Sequence, residues 1–213
     1  MRISRVNQSL ILISLVAVIF DLARLDLWGT SNLLYLIWNL FLAWIPYVIS
    51  SCFIKKEMAM NRFIPFFILW LLFFPNAPYL VTDALHLVSS LPVMLWYDSL
   101  LLFFFGWIGL FLGMLSLFRI HQYFQVHFSR LVSELGVFIV CFISGFGIYL
   151  GRFERWNSWD LFISPLGLAR HSLNAGASLT HMGTPLVFVV VFSVFMYSVY
   201  KTVYFLLTEK IEL

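Results

Sequence analysis

Charge is what this chain has least of. Only 11% of its 213 residues are Asp, Glu, Lys or Arg, against roughly a quarter in soluble domains. A water-soluble globule of that composition would have no polar surface to present, so the bilayer must be its solvent. Cysteine is nearly absent too. Cys52 and Cys141 fall in different hydrophobic stretches and show no CxxC or other ligand spacing, which excludes a disulfide framework and a thiolate metal site. The net charge of +3 is small and scattered, with no Lys/Arg cluster interleaved with aromatics, and so excludes nucleic acid as a partner. What is plentiful is hydrophobic side chain, at 62%. The first partner this implies is the lipid bilayer.

Crossing ~30 Å of hydrocarbon takes about 20 apolar residues. Apolar stretches of that order fall at about 6–27, 33–53, 63–91 with an interruption, 96–118, 131–150 and 184–207. The chain therefore reads as a single integral membrane domain over residues 1–213, all-α, a polytopic helix bundle of about six transmembrane helices. Its first residues mimic a signal peptide, with Arg2 and Arg5 ahead of an apolar run at 10–20, but Asp21 to Asp26 stand where a small-residue cleavage site belongs. An uncleaved first helix is expected. One side of the membrane collects Arg2, Arg5, Lys55, Lys56, Arg62, Arg119, Arg130, Lys201 and Lys210, and the other Arg24, Arg152, Arg155 and Arg170. That asymmetry puts both termini in the cytoplasm. Trp28, Trp96, Trp156 and Trp159 then share the far interface, where an indole is well placed as an anchor.

The third stretch is the informative one. From Phe63 to Pro75 it is too short to cross, and Pro75-Asn76-Ala77-Pro78 then deletes two backbone donors, so the helix must kink or break there. Asn76 is expected to cap a new helix by accepting from the Tyr79 amide, with Pro78 tolerated in the first turn. In the continuation, Tyr79, Thr82, Asp83, His86, Ser89 and Ser90 fall on one face at helical spacing. A polar stripe at that depth needs something polar to face. The fourth and fifth stretches carry Gly106, Gly109, Gly113 and Ser116, and Gly136, Ser144, Gly147 and Gly151, small residues that let helices approach closely in lipid. Glu134 lies near a cytoplasmic span end and reads as interfacial; His121 and His127 read as solvated in a short cytoplasmic loop.

Four charged residues, Arg152, Glu154, Arg155 and Asp160, fall in GRFERWNSWD, residues 151–160, which opens a connection of about 33 residues between the last two stretches. Neither a helical nor a strand period explains its composition, so an irregular, specifically folded segment is expected over the far face of the bundle. Arg152 and Arg155 would there find Asp83, Asp98 or Asp160 as partners, because an arginine beside lipid needs a carboxylate.

FPNAPYLVTD at 74–83, WYD at 96–98 and GRFERWNSWD, in that order between hydrophobic spans, resemble a family of bacterial multi-pass membrane proteins catalogued as domain of unknown function 1361. The resemblance runs from about the second span to the sixth. It implies a bacterial cytoplasmic (plasma) membrane location and no particular activity. The family more often has an apolar residue at the position of Glu154, which counts against Glu154 as a catalytic group.

Three functions fit these residues. A membrane enzyme acting on a lipid-linked substrate would use Asp83, His86, Asp98 and Asp160 as acid and base, or Asp83, His86 and Asp98 as ligands of a divalent cation, while Arg152 and Arg155 grip a phosphate or carboxylate. The metal reading lacks HExxH or similar spacing, and no cofactor is specified. A small transporter would use the broken helix as its substrate site, although no second broken helix marks an inverted repeat and six spans suggest a homo-oligomer. A non-catalytic protein would use a polar outer cap, with Asn76, Tyr79, Thr82, Arg152, Arg155, Asn157 and Trp159 binding a lipid headgroup or a partner. The third asks for the least and is preferred.

Overall fold

The structure, a computed structural model, describes residues 5–29, 31, 33–85, 95–153 and 183–209. Among these residues there are seven helices and no strand: α1 Arg5–Trp28, α2 Tyr35–Cys52, α3 Met60–Phe73, α4 Asn76–Thr82, α5 Leu95–His127, α6 Arg130–Phe153 and α7 Gly183–Thr208. Five stretches are long and apolar enough to cross a membrane, α3 and α4 forming one of them as Met60–Leu85. The sixth long helix is α1, which packs into the same bundle through Leu10, Ala17, Asp21 and Arg24. Leu100, Phe103, Trp107, Leu131 and Val191 are among the many large apolar side chains on the outside. Hydrocarbon, and not water, suits that surface.

The third span is kinked without being severed. Phe74 (φ −55°, ψ −40°) and Pro75 (φ −57°, ψ −27°) stay helical in backbone angle. Pro75 and Pro78 have no N–H to give, so the turn tightens: the Ala77 amide donates to the Phe74 carbonyl at 3.1 Å, and the Tyr79 amide to the Pro75 carbonyl at 3.0 Å. The expected Asn76 cap is therefore overturned. There is no free helix start to cap, and the Tyr79 amide already has a backbone acceptor. Asn76 does the reverse job, its Nδ2 donating at 2.9 Å to the Phe73 carbonyl that the shifted Ala77 amide leaves behind. α4 ends at Thr82 and a single 3₁₀ turn covers 83–85.

α5 is the axis of the bundle. Its apolar window is 67% buried, against 28% to 44% in the other four spans. Glycines explain how α4 comes so close to it. A Cβ on Gly109 would collide with the Ala77 carbonyl and the Leu80 side chain, and one on Gly106 would press on the Val81 backbone at 3.3 Å. The same economy joins α6 to α7, where a Cβ on Gly145 would lie 2.5 Å from Ser193 Oγ. Two apolar cores result, and α5 contributes to both. Leu36, Leu40, Ala43, Leu80, Phe105 and Ile108 belong to the one with α1 and α2. Phe63, Trp70, Phe74, Met114, Leu117, Val137 and Met196 belong to the one with α3, α6 and α7.

The helices alternate in direction, so polar residues gather at two ends. At the Asp98 end lie the C-termini of α1, α4 and α6 and the N-termini of α2 and α5, joined by contacts such as Tyr97 Oη donating to the Phe20 carbonyl at 2.7 Å. The His121 end holds the opposite termini. His121 and His127 are not in a loop, as the sequence suggests, because α5 runs on through both of them. His121 is fully buried, hydrogen-bonded through Nδ1 to Tyr200 Oη at 2.6 Å. A short polar run between two apolar spans reads as a loop when it is the last two turns of a long helix.

Candidate functional site

Arg152 is the focus of the Asp98 end. It sits one residue before the end of α6, and its side chain reaches across to α4, where Tyr79, Thr82 and Asp83 form three members of the expected polar stripe. Arg152 Nε and Nη2 both donate to Thr82 Oγ1, at 3.0 and 2.8 Å. Nη2 also pairs with Asp83 Oδ1, and the guanidinium carbon lies 4.3 Å over the Tyr79 ring. The side chains of Arg152 and Asp83 are 8% and 1% exposed. Asp83 Oδ2 is held in turn by Asn39 Nδ2 of α2 at 3.3 Å. One guanidinium thus ties α2, α4 and α6 together, using its planar fork, its charge and its stacking face at once.

A second buried pair stands beside the first. Arg24 of α1 meets Asp98 of α5 in a two-pronged contact, Nε to Oδ1 at 2.6 Å and Nη2 to Oδ2 at 3.0 Å, with both side chains under 5% exposed. Asp21 lies one turn before Arg24 on the same face, is 2% exposed, and leaves its Oδ2 without a hydrogen-bond partner among the described residues. Tyr97 closes this corner, its ring edge-on to Trp28 at 5.0 Å and to Trp96 at 5.5 Å. Trp96 is 62% exposed, in keeping with an interfacial anchor.

Of the candidate residues from the sequence, Tyr79, Thr82, Asp83 and Arg152 come together. Asn76 lies two turns back from Asp83 along the span, at the kink. Asp98 is at the same end and is paired with Arg24, and of the carboxylates expected to hold Arg152 it is Asp83 that does so; the expectation for Arg155 lies outside the described residues. His86, Arg155, Asn157, Trp159 and Asp160 lie outside the described residues, as does Glu154. Among the described residues no group of three or more His, Cys, Asp and Glu side chains is close enough to hold a metal ion; Asp83 and Asp98 face arginines instead. Arg24, Asp21 and Asn39 were not among the candidates. Arg24 could have been found: DLARLD places Asp21 and Arg24 three apart on a helix in the middle of a hydrophobic domain, where a lone arginine demands a counter-ion. Asn39 gives no such signal, since a single amide near a span end is unremarkable.

An all-helical bundle with apolar flanks and charges paired at its helix ends defines a polytopic integral membrane protein. Within that class the chain belongs to the DUF1361 family, a group of proteins of unknown function, whose profile it matches over residues 38–199. The match runs from within α2 to within α7, including Asn39, Asp83, Asp98 and Arg152, and leaves out Asp21 and Arg24. No curated protein and no solved structure matches the chain.

Proposed function

We propose that this is a non-catalytic membrane protein of the bacterial plasma membrane whose Asp98 end forms an extracytoplasmic cap that binds a lipid headgroup or a partner protein. The observation that carries the reading is the fate of the carboxylates. Asp83 and Asp98, the best-placed candidates for acid, base or metal ligand, are each committed to an arginine in a nearly dry setting. Such pairs tie helix ends together, and a buried carboxylate locked to a guanidinium is poorly placed to shuttle protons. The orientation rests on basic residues. Arg5, Lys55, Lys56, Arg62, Arg119, Arg130 and Lys201 are at the His121 end, and only Arg24 and Arg152 among the described basic residues are at the other. The richer end faces the cytoplasm by the usual bias.

Arg152 stands where the connection to α7 begins, so it couples the cap to the kinked span. Arg152→Gln should lower folded yield in membranes and the thermal midpoint in detergent, and Arg152→Asp combined with Asp83→Arg should recover part of the loss. If Arg152→Gln instead folds like wild type but fails to complement loss of the gene, the residue serves a reacting ligand and the enzyme or transporter reading replaces this one. Membrane-impermeant labelling of Ser158→Cys in intact cells checks the orientation; labelling only after lysis reverses it.

A further inference from the structure

Arginines inside this bundle follow one rule at the Asp98 end and break it at the other. Arg24 and Arg152 each meet a carboxylate. Arg119 of α5, half-buried near the His121 end, meets none among the described residues. Its Nη2 donates to Tyr47 Oη at 3.4 Å, and its guanidinium carbon lies 4.6 Å over the Tyr47 ring. Its Nη1 is buried and has no hydrogen-bond partner among the described residues. The Tyr47 hydroxyl gives its own proton to Asn7 Oδ1 of α1 at 2.6 Å. Stacking on tyrosine offsets only part of the cost of removing a guanidinium from water, and a buried donor without an acceptor carries a further penalty. This position calls for an anion.

The adjoining surface says which anion. An open groove of about 380 Å³ runs between α1 and α2, lined by Ile11, Ser14, Leu15, Val18 and Trp44. Its two polar side chains satisfy each other, Trp44 Nε1 donating to Ser14 Oγ at 3.1 Å, so it presents an apolar wall. Trp44 also packs edge-on against Tyr47 at 5.5 Å, and Tyr47 in turn carries Arg119, so two ring contacts link the groove wall to the Arg119 corner. From Ile11 to Val18 the groove is about 10 Å long on a helical rise, and it points from the bundle end toward mid-membrane. Exposed Arg5 stands in the first turn of α1, six residues before Ile11.

We propose that this corner is a binding site for one anionic phospholipid, with an acyl chain along the α1–α2 groove and the headgroup phosphate held by Arg119 beside Tyr47. The two halves of the ligand match the two halves of the site: a charge that Arg119 lacks, and an aliphatic chain for a wall with no free polar group. The bilayer supplies such lipids on the leaflet that the positively charged end of the protein faces. The site needs no activity at the Asp98 end, so its test stands apart from the cap.

Native mass spectrometry of the detergent-purified protein, offered an equimolar mixture of phosphatidylglycerol and phosphatidylcholine, reads the preference directly. Wild type should retain phosphatidylglycerol about fivefold to tenfold more than phosphatidylcholine, as one or two cations near a surface allow. Arg119→Gln should bring the ratio close to one, while Arg119→Lys keeps it. Ser14→Leu, which fills the groove without touching charge, should reduce retention of both lipids. An unchanged ratio in Arg119→Gln overturns the proposal. Displacement of phosphatidylglycerol by millimolar inorganic phosphate also overturns it, because the groove would then contribute nothing. So does a dimer that Arg119→Gln dissociates, since the anion would come from a second copy. Should Arg119→Gln not fold, unchanged retention of both lipids in Ser14→Leu is enough to reject the site.

Discussion

The two ends of the bundle solve the same problem in opposite ways. At the Asp98 end, Arg24 with Asp98 and Arg152 with Asp83 are nearly dry pairs that cross between helices. At the His121 end the corresponding ties are weaker in kind. Lys201 meets Glu134 at 2.9 Å with both side chains 24% exposed, and Tyr197 Oη adds 3.2 Å to the same carboxylate. The buried contact there is neutral, His121 with Tyr200, helped by Gln125 Nε2 on Tyr204 Oη at 2.9 Å. Buried charge fixes geometry strictly, because removing one partner strands the other; neutral and half-wet contacts can be lost one at a time. One end is built to hold a single arrangement and the other to tolerate change.

The largest test of that contrast is Asp98→Asn, which removes the charge from the two-pronged contact that holds Arg24 of α1 to α5. A loss of about 3–5 kcal/mol is expected, seen as a large fall in thermal midpoint in detergent. Full stability in Asp98→Asn would mean that water reaches this pair, and the two ends would no longer differ. Tyr200→Phe comes next. It leaves His121 Nδ1 without its partner in a fully buried position and should cost about 1–2 kcal/mol, with the helical content by circular dichroism unchanged. A loss as large as that of Asp98→Asn would place the stricter end at His121 instead. Glu134→Gln should do least, within about 1 kcal/mol, and its small effect should shrink further in high salt. A salt-insensitive loss of several kcal/mol would show the Lys201 pair to be as dry as the other two.

Much of this was legible in the sequence. The hydrophobic lengths give the helices, the two prolines give the kink, and the spacing of Tyr79, Thr82 and Asp83 gives a face that Arg152 occupies. The glycines of α5 mark where α4 lies against it. What could not be read is which carboxylate goes with which arginine. Asp83 and Asp98 are alike in sequence, and only the positions of α1 and α6 around α5 assign Arg24 to one and Arg152 to the other. The kink misled for a local reason: proline predicts a lost amide, but not that Ala77 would shift to the Phe74 carbonyl and remove the need for a cap. His121 misled for a global one. Its burial is made by α7, which comes some eighty residues later in the chain.

The length of α5 sets a scale for the membrane around it. Asp98 and Arg119 sit 21 residues apart on one uninterrupted helix, about 32 Å on a helical rise, and that is close to the thickness of a hydrocarbon core. Both are fastened to neighbours, Asp98 to α1 and Arg119 to α2, so α5 can neither slide nor shorten without undoing one of them. The remaining residues to His127 project beyond the boundary. The protein is in effect a gauge: a bilayer much thinner than this distance would have to thicken around it or let the helix tilt, at a small cost for every ångström of mismatch. Its stability should therefore follow the acyl chain length of the surrounding lipid.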